Sequence, residues 1–242
     1  MKIPISKRLL CCVQFVAPGA RVADIGTDHG YLGIYLLENG IAAHVHACDL
    51  RPMPLQKARE NAARFGAAER MTFLLSDGLA ALSPDAVNTI VMAGMGGDLM
   101  VRILDAAPWV CSARYTLILQ PQSAGQALRL WLAENGFQTQ RETLVKDGGY
   151  LYTVLLVRWN GERRTLCPGA QFVSPQLLSD AGPLLPEYFS RIESALRATV
   201  DGLRGAEHPR PERLAYHETA LREITEMRKA YAERTWDLHG AV

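Results

Sequence analysis

Asp24-Ile-Gly-Thr-Asp-His-Gly-Tyr-Leu-Gly33 is the stretch on which the reading of the fold turns. It closes the apolar run 21–25 (RVADI) and opens a helical stretch over 30–39 that Gly40 stops. A strand that ends in a glycine-bearing turn and runs into a helix is the opening unit of an α/β sheet. There the turn and the helix N-terminus face a ligand. A dinucleotide fingerprint, G-x-G-x-x-G, lets the backbone close on a pyrophosphate. In this chain the glycines fall at 26, 30 and 33, and Asp28 interrupts that spacing. A second carboxylate beside Asp24 repels a pyrophosphate and suits a cation.

Outward from the turn, short apolar runs alternate with amphipathic stretches. Strands are predicted over 43–49, 71–75, 88–93 and 115–120, and helices over 53–65, 98–106 and 123–135. Gly66 and Gly136 end two of the helices. Residues 137–145 and 150–159 read as two further strands joined by Lys146-Asp147-Gly148-Gly149, a turn of hairpin chemistry. The fold class is therefore α/β, a Rossmann-like parallel sheet finished by an antiparallel hairpin, as in methyltransferases. Beyond Asn160-Gly161 the texture changes. Pro168, Pro175, Pro183 and Pro186 punctuate the chain, and two apolar stripes follow: Tyr188, Ile192, Leu196, Val200 and Leu203, then Leu214, Leu221, Ile224 and Tyr231. Spacings of three and four, with Gly205-Ala-Glu-His-Pro209 between the stripes, predict an antiparallel αα-hairpin. The domains are read as 1–160, a cofactor-binding domain, and 161–242, a helical hairpin.

The carboxylates indicate the ligand. Asp24 and Asp28 flank the turn, Asp49 closes the second strand, and Asp77-Gly78 follows the third. Acidic residues at the carboxyl ends of successive strands converge on the crevice where such sheets bind ligands, and one of them accepts ribose hydroxyls. A nucleoside that also carries a sulfonium and an ammonium, S-adenosylmethionine, satisfies all of them. Any single aspartate could instead be a helix cap, the commonest use of aspartate at a strand–helix turn. Ala93-Gly-Met-Gly-Gly97 ends the fourth strand, where methyltransferases meet their substrate. It lacks the [D/N]-P-P-[F/Y] of enzymes that methylate exocyclic amines, so a ring nitrogen, a carbon or an oxygen stays open as the target. Three glycines let the backbone approach a planar ligand. Gln120 and Gln122 close the fifth strand with amides able to read a base edge.

Composition adds exclusions. Basic residues number 26 against 25 acidic ones, so any polyanion must be held by a local patch. Lys2, Lys7 and Arg8 are one small cluster. Arg213, Arg222, Arg228, Lys229 and Arg234 are interleaved with glutamates, the pattern of an exposed helix laced with ion pairs. The five cysteines form no C-x-x-C pair and no zinc-spaced cluster, so no metal is expected, and reduced thiols fit a cytoplasmic protein. The run 9–17 is short and contains Gln14, which argues against a leader peptide. No stretch has the length of a membrane span.

Ser6-Lys-Arg-Leu9, Ala23-Asp-Ile-Gly-Thr-Asp-His-Gly-Tyr-Leu32, Asp77-Gly-Leu79, Ala93-Gly-Met-Gly-Gly97, Leu119-Gln-Pro121 and Arg129 with Trp131-Leu132 together resemble the TrmK family, bacterial tRNA adenine-N1 methyltransferases acting on position 22 of the D arm. The resemblance spans about the first 160 residues and, in outline, the helical extension. It implies a class I methyltransferase fold with a coiled-coil-like C-terminal domain, S-adenosylmethionine as cofactor and tRNA as partner. It further implies a cofactor site of Arg8, Asp24, Gly26, Thr27, Gly30, Tyr31, Asp49, Leu50, Asp77, Gly78, Ala93, Gly94 and Met95. Asp28 and His29 would act at the target, and Gly96, Gly97, Gln120 and Gln122 would bind substrate. Gln122 departs from the family's asparagine, and Gly148-Gly149 from a more polar turn. A monomer is expected. Two other readings fit the same residues, a methyltransferase of a small metabolite and a non-catalytic RNA-binding protein that retains the cofactor fold.

Overall fold

The computed structural model describes residues 2–180, 182–208 and 210–239, the last six of them by backbone alone. Arg234, Pro209 and their expected roles lie outside what is described. The chain divides into two compact units, Met1–Arg164 and Thr165–Val242.

The first unit is built on a seven-stranded sheet in the order β3-β2-β1-β4-β5-β7-β6. The strands are β1 (Ala20–Ile25), β2 (Ala42–Asp49), β3 (Met71–Leu75), β4 (Thr89–Met95), β5 (Thr116–Pro121), β6 (Phe137–Asp147) and β7 (Tyr150–Trp159). The first five are parallel, whereas β7 runs antiparallel to both β5 and β6. Strand order reverses between β1 and β4, and that switch point fixes where a ligand crevice opens. The central strands are covered on both faces, which is why they read as continuous apolar runs rather than as alternation.

One face packs on α4 (Gly97–Asp105) and α5 (Gly125–Glu134) through Met92, Met100, Leu104, Leu117 and Leu128. The other carries Val22, Ile34, Val45, Val91 and Ile118 beneath α1 (Lys7–Val13), α2 (Tyr31–Glu38) and α3 (Pro52–Phe65). The apolar N-terminal run is thus part of the core. Ser6 caps α1, its Oγ accepting from the Leu9 N–H at 3.5 Å, and Cys11, Cys12, Phe15 and Val16 are buried. Arg129 of α5 is buried in a fork against Glu142 of β6, with Nε 3.1 Å from Oε1. Removing one partner of such a pair leaves an uncompensated buried charge, so Arg129 serves the joint between α5 and the hairpin.

The second unit is helical. Pro168 and Pro175 are the first residues of two short helices, α6 (Pro168–Phe172) and α7 (Pro175–Ser179), a position that costs proline nothing. Helices α8 (Leu185–Arg204) and α9 (Pro211–His239) run antiparallel: Arg204 pairs with Glu218, Arg228 with Glu193, and the rings of Phe189 and Tyr231 lie 6.1 Å apart. Leu196, Val200, Ala220 and Ile224 are buried between them. Glu193, almost fully buried, receives Arg228 Nη1 at 2.7 Å. Among the described residues no helix is long and apolar enough to cross a membrane.

Candidate active site

The carboxyl ends of β1, β2, β3 and β4 surround a cleft of about 390 Å³. A small annex of about 80 Å³ shares Arg8, Gly26, Asp28 and Ala93 with it. Of the residues expected to act here, Asp49, Leu50, Asp77, Gly78, Gly94 and Met95 line the cleft, and Asp24, Thr27, His29 and Tyr31 line the annex.

The turn is held in shape before any ligand arrives. Gly26 and Gly30 have φ of 73° and 74°, a region closed to most side chains. A Cβ at Gly26 would come within 3.0 Å of Met95 Cε, across the mouth of the cleft. Asp28 also lies in the left-handed region, at φ 51°, where a side chain costs conformational energy. Its N–H donates to Asp49 Oδ2 at 3.3 Å, which ties the turn to the end of β2. Such strain is characteristic of positions held by their surroundings for function.

Asp24 and Asp28 have opposite environments. Asp24 is 4% exposed, and its Oδ2 accepts from the Thr27 hydroxyl at 2.7 Å. Burial pushes its carboxyl up to about 6, with the charges of Asp49 and Asp28 adding to the effect and Thr27 opposing it. The Asp28 side chain is 66% exposed, with His29 Nε2 at 3.7 Å from its Oδ2. His29 stacks on Tyr31 at 5.7 Å, and its carbonyl accepts from the buried Asn61 amide at 2.9 Å. Asp49 accepts a second N–H, from Arg51, at 3.0 Å. Leu50 next to it is 65% exposed, an apolar surface beside a carboxylate.

Arg8 enters from α1. Its Nη1 donates to Gln120 Oε1 at 3.0 Å, and Gln120 is itself fully buried. A Cβ at Gly94, where φ is 82°, would sit 2.8 Å from Arg8 Nη1, so glycine there makes room for the guanidinium. The Gln122 side-chain amide reaches the same place, and the Gln122 backbone N–H donates to the Met95 carbonyl at 2.9 Å. Gly96 and Gly97 line neither cavity. A Cβ on Gly97 would collide with the Ala124 carbonyl, so that glycine allows α4 to pack on the turn before α5. Gly30 likewise fits against Ala58 of α3. The cleft also uses Arg51, Ser76, Leu99 and Ile103, which sequence reasoning did not single out. Ser76 could have been found as the residue that follows β3. Leu99 and Ile103, one turn apart on α4, read only as a core stripe. Among the described residues no cluster of His, Cys, Asp and Glu is arranged to hold a metal ion.

This donor set matches a nucleoside bearing positive charge. There is a buried carboxylate at the glycine turn, a second at the end of β2 with an exposed leucine beside it, and a cradle that a Cβ at Gly26 or Gly94 would fill. Comparison with known proteins agrees. Residues 5–155 match the family described as Methyltransferase domain. The tRNA (adenine(22)-N(1))-methyltransferase of Bacillus subtilis is 29% identical over 184 residues, 76% of each chain. The crystal structure of Streptococcus pneumoniae Sp1610, assigned to tRNA (m1A22) methylation, superposes with a TM-score of 0.80 at 30% identity, covering 92% of this chain and 99% of that one. Sp1610 in complex with S-adenosyl-L-methionine superposes with a TM-score of 0.78 over the same shares. The fold, the turn and these relatives place the chain in the methyltransferase-domain family and, within it, in the TrmK family of tRNA adenine-N1 methyltransferases.

Proposed function

We propose that this chain methylates N1 of adenine 22 in the D arm of tRNA, with S-adenosylmethionine as the donor. The observation that carries the reading is the cluster of Asp24, Asp28 and Asp49 around one cleft at the sheet's switch point, with the glycine-rich end of β4 opposite. When bound, the cofactor supplies a methyl group on a positively charged sulfur. Asp49 is the acceptor for ribose hydroxyls, and Leu50 with the Asp77-Gly78 turn offers the surface for the adenine. Asp24 sits where the cationic end belongs. Its carboxyl, pushed up to about 6 by burial, is a destabilised anion at neutral pH, and a bound cation offsets that cost.

The substrate side asks for little acid–base chemistry. The N1 lone pair of neutral adenine is already nucleophilic, so alignment supplies much of the catalysis. Positive charge then develops on the base, and a carboxylate nearby stabilises it. Asp28 is the exposed carboxylate at the mouth of the cleft and takes that role, with His29 beside it. The side-chain amide of Gln122, beside Gly94 at the cleft, serves to position the base, while the buried Gln120 amide holds Arg8 there. The protein acts as a cytoplasmic monomer. A transcript assay tests the reading. A tRNA transcript with adenine at 22 should accept label from the cofactor, and the same transcript with guanine at 22 should accept none. Equal labelling of the two would overturn it.

A further inference from the structure

The β6–β7 hairpin does not stop where the sheet stops. Strand β7 pairs with β5 over Leu155–Arg158 only, yet its pairing with β6 continues to the Asp147–Tyr150 pair at the tip. Extending the β5 register sets Thr153 beside Pro121, so Leu151, Tyr150 and Tyr152 lie beyond the end of β5. At 3.4 Å per residue the two-stranded ribbon overhangs the carboxyl edge by roughly 10 Å. That is the edge at which the cleft opens.

The ribbon's orientation is also defined. Residues paired across a hairpin share a face, and so do alternate residues along one strand. Asp147, Tyr150, Val145 and Tyr152 therefore share one face. Asp147 Oδ2 accepts the Arg8 N–H at 3.3 Å and stands 4.0 Å from Arg8 Nε, and Arg8 lines both the cleft and its annex. The same face thus continues from the rim of the active site to the ribbon tip. Tyr150 is 63% exposed, among the few large apolar side chains so exposed in the described residues. Its ring lies 6.4 Å from that of Tyr152, tilted by 44°. Lys7, which precedes Arg8 on α1, is exposed, whereas Lys146 pairs with Leu151 on the ribbon's opposite face. Aromatic rings with cations beside them are the means by which proteins hold unstacked bases.

We infer that the Tyr150–Tyr152 face of this ribbon is an RNA-binding arm, on which a base flanking the methylated adenine stacks. The inference rests on the tRNA reading and adds a site to it. Its test uses the full chain and a tRNA transcript, with cofactor affinity measured by calorimetry as a control for folding. Tyr150→Ala should raise the KM for tRNA about tenfold, the scale of one lost base–aromatic stack. Cofactor affinity should not change. Tyr150→Phe should keep the wild-type KM, and Tyr150→Leu, apolar but without a ring, should behave as alanine does. A wild-type KM in Tyr150→Ala or in Tyr150→Leu overturns the arm, while the wild-type enzyme's labelling of tRNA leaves the proposed function intact. Wild-type protein that labels no tRNA overturns both.

Discussion

Asp24 and Asp28 occupy the inner and outer ends of one turn, four residues apart, and the fold treats them in opposite ways. The inner carboxylate is sealed against solvent, bonded to Thr27 and pushed up to about 6. The outer one stands in solvent on a backbone bent into the left-handed region. Burial makes Asp24 expensive as a bare anion and so a strong partner for a bound cation. Exposure makes Asp28 a poor cofactor anchor but leaves it free to meet a substrate. A turn of this size can thus serve two ligands, provided its two carboxylates differ in dielectric surroundings.

The sharpest way to separate them is Asp28→Ala. Turnover should fall about 30- to 900-fold, the equivalent of about 2–4 kcal/mol of transition-state stabilisation at about 1.4 kcal/mol per tenfold, while cofactor affinity stays within a small factor. Steady-state kinetics beside calorimetry reads both, and a matching loss of affinity would place Asp28 in the cofactor site instead. Asp24→Asn should do the reverse, weakening cofactor affinity by about 10- to 100-fold, as expected for a lost charge-assisted contact. The same substitution should raise the melting temperature of the ligand-free protein at neutral pH, because it removes a buried anion; an unchanged or lower value would count against the raised carboxyl.

The pH dependence follows with a definite sign. The folded-state value of Asp24, about 6, lies above the ordinary 3.8. Its contribution to the stability of the ligand-free protein is therefore present below about 3.8 and lost as pH rises through about 6. Cofactor affinity should move the other way, falling as pH drops below about 6 because Asp24 becomes protonated. Titrations between pH 5 and 8 should show that fall in the wild type and a flatter profile in Asp24→Asn. The smallest effect concerns strain. Asp28→Gly should exceed Asp28→Ala in unfolding free energy by about 1 kcal/mol and so melt higher, since glycine alone accepts a φ of 51° without penalty. Equal melting of the two would mean that the turn stores no strain there.

Much of this was legible in the sequence, for identifiable reasons. Strands β1 to β5 are apolar runs bounded by glycines and polar turns, and burial of the central ones on both faces makes those runs conspicuous, while the edge strand β3 is buried only in part. Asp24, Asp28, Asp49 and Asp77 stand at strand ends, where topology brings side chains together whatever lies between them. Less visible were the parts that depend on packing. Helix α1 resembles the start of a leader until its cysteines and Phe15 are seen buried. The prolines at 168 and 175 read only as punctuation of the chain, yet each starts a short helix. Gly30 and Gly97 read as ligand contacts, although Ala58 and Ala124 account for the absence of a side chain at each. Leu99 and Ile103 were concealed by the opposite ambiguity, an apolar helix face that turns toward a cleft. The overhang of β7 follows from register, which no single strand's pattern reveals.

The most direct test of the whole account is methylation of bulk tRNA by the purified protein with labelled S-adenosylmethionine, followed by digestion and nucleoside analysis. Label recovered as N1-methyladenosine is the predicted result. Label in any other nucleoside, or none in tRNA, would contradict it.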